Sequence, residues 1–401
     1  MDREQFKADL ESVPVYDAHT HLAGGKLCAA NFWEIVHYFW FLRELQGAGY
    51  PNNYPDYTEG DRIDVFLRAF GKTRGTGMHY AVKRIFKDLY GLEITDKKSV
   101  YDCIGAVKGS FANPAWAHEV TKKGNIQYAV VNKEEDVNFA GFPACGEPGG
   151  ICVWTPRIDG LLNEALKAIE SADTGERAAV VVREKDKLLG LLSAYRAKGA
   201  RAVMTTLRTL HKKTWQNSGE KFEDPDDCYI YLLHAVCAFA EEHGFTVQFF
   251  LGVEHGWCGV AVPVNNNERV LNLYGLFEKY RIKFDLVIAS EANNMDAVQA
   301  AHIFPNVYVG GMWWFNFRPS TYTDAMAKRF EVLASTKTYL SISDSRCIEW
   351  CYGKNALIKK LAADFLCQKV NDGFVDYNEA LEIARDWLFT TPGILYGTCQ
   401  N

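Results

Sequence analysis

The chain has 401 residues, of which 48% are hydrophobic, 13% aromatic and 23% charged. That composition excludes a disordered or fibrous protein and allows a sizeable buried core. A net charge of -6 excludes the basic footprint of a nucleic-acid binder and the polybasic patch of a membrane-surface protein.

The first residues, Met1-Asp2-Arg3-Glu4-Gln5-Phe6-Lys7, mix both signs, unlike a secretory signal, and no apolar run approaches the length of a membrane span. Eleven cysteines, an odd number with no Cys-x-x-Cys pair, predict reduced thiols in a cytoplasmic protein. The first apolar run closes on Asp17-Ala18-His19-Thr20-His21. Side chains two apart on a strand point the same way, so His19 and His21 project together as half of a metal site.

Residues 23–124 read as helices and loops, with helices expected over 31–46, 61–70 and 78–90. The first of these holds His37-Tyr38 among aromatic residues, a pair suited to core packing or, above a metal site, to acid and base work. From about residue 125 the pattern changes to short apolar runs alternating with amphipathic segments. The runs cover 126–131, 150–157, 200–207, 245–252, 283–290, 306–313 and 338–345, and the one at 13–21 makes eight. Strands alternating with helices imply parallel pairing with right-handed crossovers, and eight such units predict a (β/α)8 barrel in one domain, 1–401. Residues 23–124 would be a helical insertion covering its mouth. An open doubly wound sheet is the alternative, but no strand is followed by Gly-x-Gly-x-x-Gly.

In a barrel the first and last strands are neighbours. Asp344, which ends the eighth run, can therefore join His19 and His21 as a third ligand, or cap the following turn. The set predicts one divalent metal, zinc first, with manganese or iron as alternatives. Arg157 and Arg346 stand at strand ends, where a guanidinium can grip a carboxylate; Trp313 and Trp314 can line a sugar or pack under the insertion.

Several segments resemble the amidohydrolase superfamily and, within it, the uronate isomerase branch. They are Asp17-Ala18-His19-Thr20-His21-Leu22, Phe32-Trp33-Glu34 leading to His37-Tyr38 and Arg43, Pro156-Arg157-Ile158-Asp159, Asn265-Asn266-Asn267, Trp313-Trp314-Phe315-Asn316 and Ser343-Asp344-Ser345-Arg346. The resemblance implies a distorted (β/α)8 TIM barrel of the metal-dependent hydrolase type and an enzyme that interconverts a hexuronate aldose and its ketose. It implies His19, His21 and Asp344 as metal ligands, and Arg157 and Arg346 on the substrate's carboxylate or hydroxyls. His37 and Tyr38 would serve proton transfer, and Trp313 or Trp314 would line the sugar. Tyr38, Asp344 or a metal-bound hydroxide are the candidate bases. The partner is then a small sugar acid rather than nucleic acid or membrane, and a homo-oligomer is compatible with it.

Two departures stand out. The family's strand 5 histidine is replaced by Phe250, and its Thr-Asp-Asp-Pro turn after strand 2 reads Asn132-Lys133-Glu134-Glu135. They motivate two alternatives: a metal-dependent hydrolase of lactones or small esters and amides, and a non-catalytic sugar-acid binder.

Overall fold

The computed structural model describes residues 3–23, 26–133, 151–173, 175–208, 210, 212–215, 222, 224–257, 260–263, 268–312 and 318–398. Its strands are β1 (Val15–Thr20), β2 (Ile126–Val131), β3 (Cys152–Trp154), β4 (Ala202–Thr206), β5 (Thr246–Leu251), β6 (Val253–Trp257), β7 (Val260–Pro263), β8 (Lys283–Ile288) and β9 (Val307–Met312). The regular ladders form two parallel sheets, β1-β2-β3 and β4-β5-β8-β9, with β6 and β7 as a separate antiparallel pair. The protein is therefore α/β with parallel sheets and a helix after most strands, as the alternating pattern predicts.

The eighth run is not a ladder strand. It is tied by single parallel bridges, Val309 to Thr338 and Thr20 to Ser345, and Arg157 to Met204 likewise joins the two sheets. Backbone bonds from Ala18 N to Ser341 O (3.0 Å), Asp344 N to His19 O (3.0 Å) and His21 N to Ser345 O (2.8 Å) hold this run beside β1. The irregularity has a local cause at Asp344, whose φ of 54° is left-handed and breaks the extended repeat. Aspartate tolerates that conformation better than most residues, because its short side chain bonds locally.

Between β1 and β2 the described elements are helical: Phe32–Val36, Phe39–Gly47, Glu59–Phe70, Gly77–Arg84, Lys97–Phe111 and Trp116–Gly124, with short 3-10 and π turns. The single helix expected over 31–46 is two. Asn31 caps the first, its side chain accepting from Glu34 N, and Tyr38 with ψ of 132° separates them. The break lies at His37-Tyr38, the pair expected inside a continuous helix. Tertiary contacts made by Tyr38, described below, override the helical periodicity. The helix Ile348–Asn371 follows the eighth run and is buried along most of its length. It packs against Arg3–Glu11, Gly77–Arg84 and Trp116–Gly124, so it links the strands to the helical layer.

Tyr16, Ala18, Val130, Ala202, Met204, Phe250, Val287, Tyr339 and Ile342, together with Leu395 and Tyr396 of the last helix (Thr391–Tyr396), form one buried cluster fed by both sheets. At its centre Asp285 Oδ2 accepts from Gln248 Nε2 (2.9 Å), Tyr339 OH (2.8 Å) and Tyr396 OH (2.7 Å). Gly310 admits this carboxylate, since a Cβ there would lie 2.6 Å from Asp285 Oδ1. Burial pushes the Asp285 carboxyl up to about 6, against hydrogen bonds that favour the anion.

With the folded value above the unfolded 3.8, the folded state holds this proton more tightly. The stabilisation is complete below about pH 4 and is lost as pH rises through about 6. Asp285→Asn should therefore gain stability relative to the parent chain by about 2 kcal/mol between pH 4 and pH 7. Urea unfolding at the two pH values would show it, and a pH-independent difference would contradict it.

Candidate metal centre

The ends of β1 and of the eighth run meet through a network rooted in Asp17. Its Oδ1 accepts from Ser343 N (2.9 Å) and its Oδ2 from Asn355 Nδ2 (3.1 Å). Within the Asp-x-His-x-His motif Asp17 thus acts structurally, fastening β1 to the eighth run and to the helix behind it. Beyond it, His19 Nε2 lies 3.2 Å and His21 Nε2 3.0 Å from Asp344 Oδ1. The two imidazoles stand at 85° with centroids 4.8 Å apart, and the donor atoms of the three residues all lie within 4.8 Å of one another. Donors about 2.0–2.2 Å from a tetrahedral ion are roughly 3.3 Å apart, so the spacing fits a small divalent metal.

The protonation states suit the same purpose. Burial lowers the His19 pKa to about 4, which keeps its imidazole neutral near pH 7. Burial alone would raise Asp344, but hydrogen bonds from His19 and His21 outweigh it and hold the carboxyl well below its ordinary range. Phe250 is fully buried and its ring lies 4.5 Å from that of His19. It closes the site with an apolar wall where a further imidazole was expected.

Tyr38 OH donates to Asp344 O (2.9 Å) and accepts from Lys354 Nζ (2.7 Å), which also donates to Ser343 O (2.5 Å). Trp350 packs on the Tyr38 ring at 4.5 Å and donates from Nε1 to Ile35 O. The helical break is thereby pinned to the turn that carries Asp344. Burial raises the Tyr38 phenol well above its usual value and lowers Lys354 to about 8. His37 Nε2 lies 2.9 Å from Tyr50 OH, and its ring stacks on Trp33 at 5.1 Å. Burial, then the charge of Arg62, lowers His37 to about 4.

A cavity of ≈ 580 Å³ opens beside the cluster. His21, Trp33, His37, Tyr38, Lys133 and Arg346 are among its lining residues. The structure thus brings His19, His21 and Asp344 together and places His37, Tyr38 and Arg346 at the same cavity. Arg157 does not line it among the described residues; its Nε donates to Asp159, although its charge reaches His19. Trp313, Trp314 and Asn265-Asn266-Asn267 lie outside the described residues. Sequence reasoning missed Lys354 and Asn355. Their signal is a Lys-Asn pair interrupting a helical face that also holds Trp350, Cys351 and Ile358, all buried.

No family model matches the chain. Among curated proteins it resembles the uronate isomerase of Thermotoga maritima, at 23% identity over 261 residues, and that of Thermotoga neapolitana, at 21% over 211. The aligned segments cover 60% and 48% of this chain and about half of each relative, 54% and 45%. Among solved structures, the glucuronate isomerase of Caulobacter crescentus superposes with a TM-score of 0.80 at 16% identity, over 100% of this chain and 94% of that one. The Thermotoga maritima uronate isomerase gives 0.78 at 15% identity over 98% and 97%. The chain has the uronate isomerase fold. A Lactobacillus casei protein described as a metal-dependent hydrolase follows at 0.61 and 16% identity, over 98% of this chain and 97% of that one.

Within the uronate isomerase fold Lys354 holds the Ser343 carbonyl and the Tyr38 hydroxyl on either side of Asp344. Lys354→Met should leave the chain folded but weaken divalent-metal affinity about 10–100-fold, measured by chelator competition. Unchanged affinity would mean that Asp344 is positioned without it.

Proposed function

We propose that this protein is a metal-dependent isomerase of a hexuronate, interconverting the aldose and the ketose by moving a proton between C2 and C1. The observation that carries the reading is the grouping of His19, His21 and Asp344 at a cavity that also receives His37, Tyr38 and Arg346. The similarity to uronate isomerases over nearly the full length of their solved structures supports it. The finer architecture belongs to the same reading. Both sheets, joined by single bridges through the eighth run, form a distorted (β/α)8 barrel in one domain, with 23–124 as its helical insertion over the mouth.

His19, His21 and Asp344 would hold one divalent ion, and two imidazoles with a carboxylate suit zinc well. Such an ion supplies electrophilic stabilisation of the oxygen that gains charge as C2 loses its proton. The chain's own residues do the rest. His37, neutral at working pH, shares a hydrogen bond with Tyr50 through Nε2, so Nδ1 is the atom that would exchange a proton with substrate. Tyr38 keeps its proton and acts as a donor and positioner rather than as the base. Phe250 and Trp350 keep water from the buried side. Arg346 meets the carboxylate or hydroxyls, and Arg157, held by Asp159, acts on His19 through its charge. Trp313 and Trp314 would face the sugar. Free thiols such as Cys103, Cys237 and Cys347 accord with a cytoplasmic setting, and no described helix is long and apolar enough to cross a membrane.

A hydrolase is the second reading, favoured by Phe250 beside His19 and by the Lactobacillus casei neighbour. Incubation with glucuronate in deuterated water separates the two. Metal-dependent deuterium incorporation and ketose formation are expected, with a loss of at least about 100-fold in His37→Ala. Lactone turnover without any exchange across a uronate panel would replace the isomerase by the hydrolase.

A further inference from the structure

Lys133 lies two residues past the end of β2 at Val131, and its backbone is fixed from β3. The Lys133 carbonyl accepts from Arg157 N (3.2 Å) and from Trp154 Nε1 (3.2 Å). Its neighbour Asn132 is buried, with N donating to Thr20 O (3.1 Å) and Nδ2 to Thr155 O (3.3 Å). The residue therefore leaves β2 at a determined place and lines the cavity together with His21, His37, Tyr38 and Arg346.

The described charges facing this cavity do not balance. Lys26 Nζ is paired with Glu34 Oε1 at 2.6 Å, and both line the cavity. The Asp344 carboxylate is engaged by the two imidazoles, and Arg157 by Asp159. Lys133 and Arg346 have no side-chain ion pair or hydrogen bond among the described residues, so among the described charges these two cations face the cavity without a counter-charge. A cavity of this size whose walls focus two positive charges selects an anion, and a carboxylate accepts from an ammonium and a guanidinium together.

We propose that Lys133 is a specificity-determining residue which, with Arg346, grips the carboxylate of the sugar acid and rejects the neutral sugar. The assignment rests on the hexuronate reading above. With the reacting carbons at His21 and His37, Lys133 and Arg346 are the cations of the same cavity left for the terminal carboxylate. A sugar with a hydroxymethyl group in its place would desolvate both cations and return no charge to them, and a site loses most affinity when its charged groups are left unpaired.

The test uses the full metal-loaded chain, with Lys133→Met as a variant of similar length and Lys133→Arg as the charge-retaining one. Calorimetry with gluconate, which has the carboxylate but no carbonyl to isomerise, reads binding without turnover. Sorbitol serves as the neutral control. Lys133→Met should weaken gluconate binding about 10- to 100-fold and leave sorbitol binding no weaker than in the parent, and Lys133→Arg should recover most of the gluconate loss. With glucuronate as substrate the change should fall on KM more than on kcat. Equal gluconate affinity in Lys133→Met and the parent chain would overturn the assignment, as would a matching loss for sorbitol or no gluconate binding by the parent. The two readings fail separately. Glucuronate turnover unaffected by Lys133→Met removes Lys133 alone. Lys133-dependent gluconate binding without turnover removes the isomerase and keeps Lys133.

Discussion

Everything at the site depends on β1 lying beside the eighth run. Asp17 holds that seam, receiving Ser343 N on one oxygen and Asn355 Nδ2 on the other, and backbone bonds from Ala18, His21 and Asp344 extend it. A buried carboxylate costs several kcal/mol unless its oxygens are hydrogen-bonded, so the seam is favourable only in one register. A shift of one residue would turn His19 and His21 to the opposite face and separate them from Asp344. The burial that pushes Asp17 up to about 6 is the energetic sign of that demand.

Around this seam, layers impose successive constraints. Behind it, the helix Ile348–Asn371 supplies Asn355 to Asp17 and Lys354 to Tyr38 and Ser343. Above it, buried Glu349 accepts from Ala29 N (3.1 Å) and Trp116 Nε1 (3.0 Å), tying the loop after β1 to the helical layer. Below it, Phe250 and the Asp285 network fill the space between the strands. The ligand set is thus held from several directions by groups that do not face the cavity, which is how a precise geometry survives without strong individual contacts.

Much of this was legible in the sequence. Short apolar runs revealed the parallel strands, because a buried parallel strand is apolar on both faces. The pairing of His19 and His21 with Asp344 followed from strand alternation and the adjacency of first and last strands. Other features were hidden for identifiable reasons. The eighth run reads as a strand but carries a left-handed Asp344, which periodicity does not register. The His37-Tyr38 break was masked by helix-like aromatic spacing, and only the distant Lys354 and Trp350 explain it. Arg157 at a strand end read as a grip for a carboxylate, and the carboxylate it holds is that of Asp159, two residues on. The β6–β7 pair has no alternation strong enough to stand apart from a loop. Local pattern reported the elements; the break at His37-Tyr38 comes from contacts 306 and 316 residues away in sequence.

The buried network at Asp285 also has a temporal side. Tyr396 bonds Gln248 and Asp285 from positions 148 and 111 residues later in the chain. At ribosomal speeds of about 5–20 residues per second, Gln248 waits roughly 7–30 s for this partner. During vectorial synthesis the strands are thus laid down around an unsatisfied carboxylate, and the last helix arrives as a closing plug. Nascent chains of this protein would pass through a stage in which β5 and β8 are made but their polar centre is still open to water, the interval in which a chaperone has most to protect.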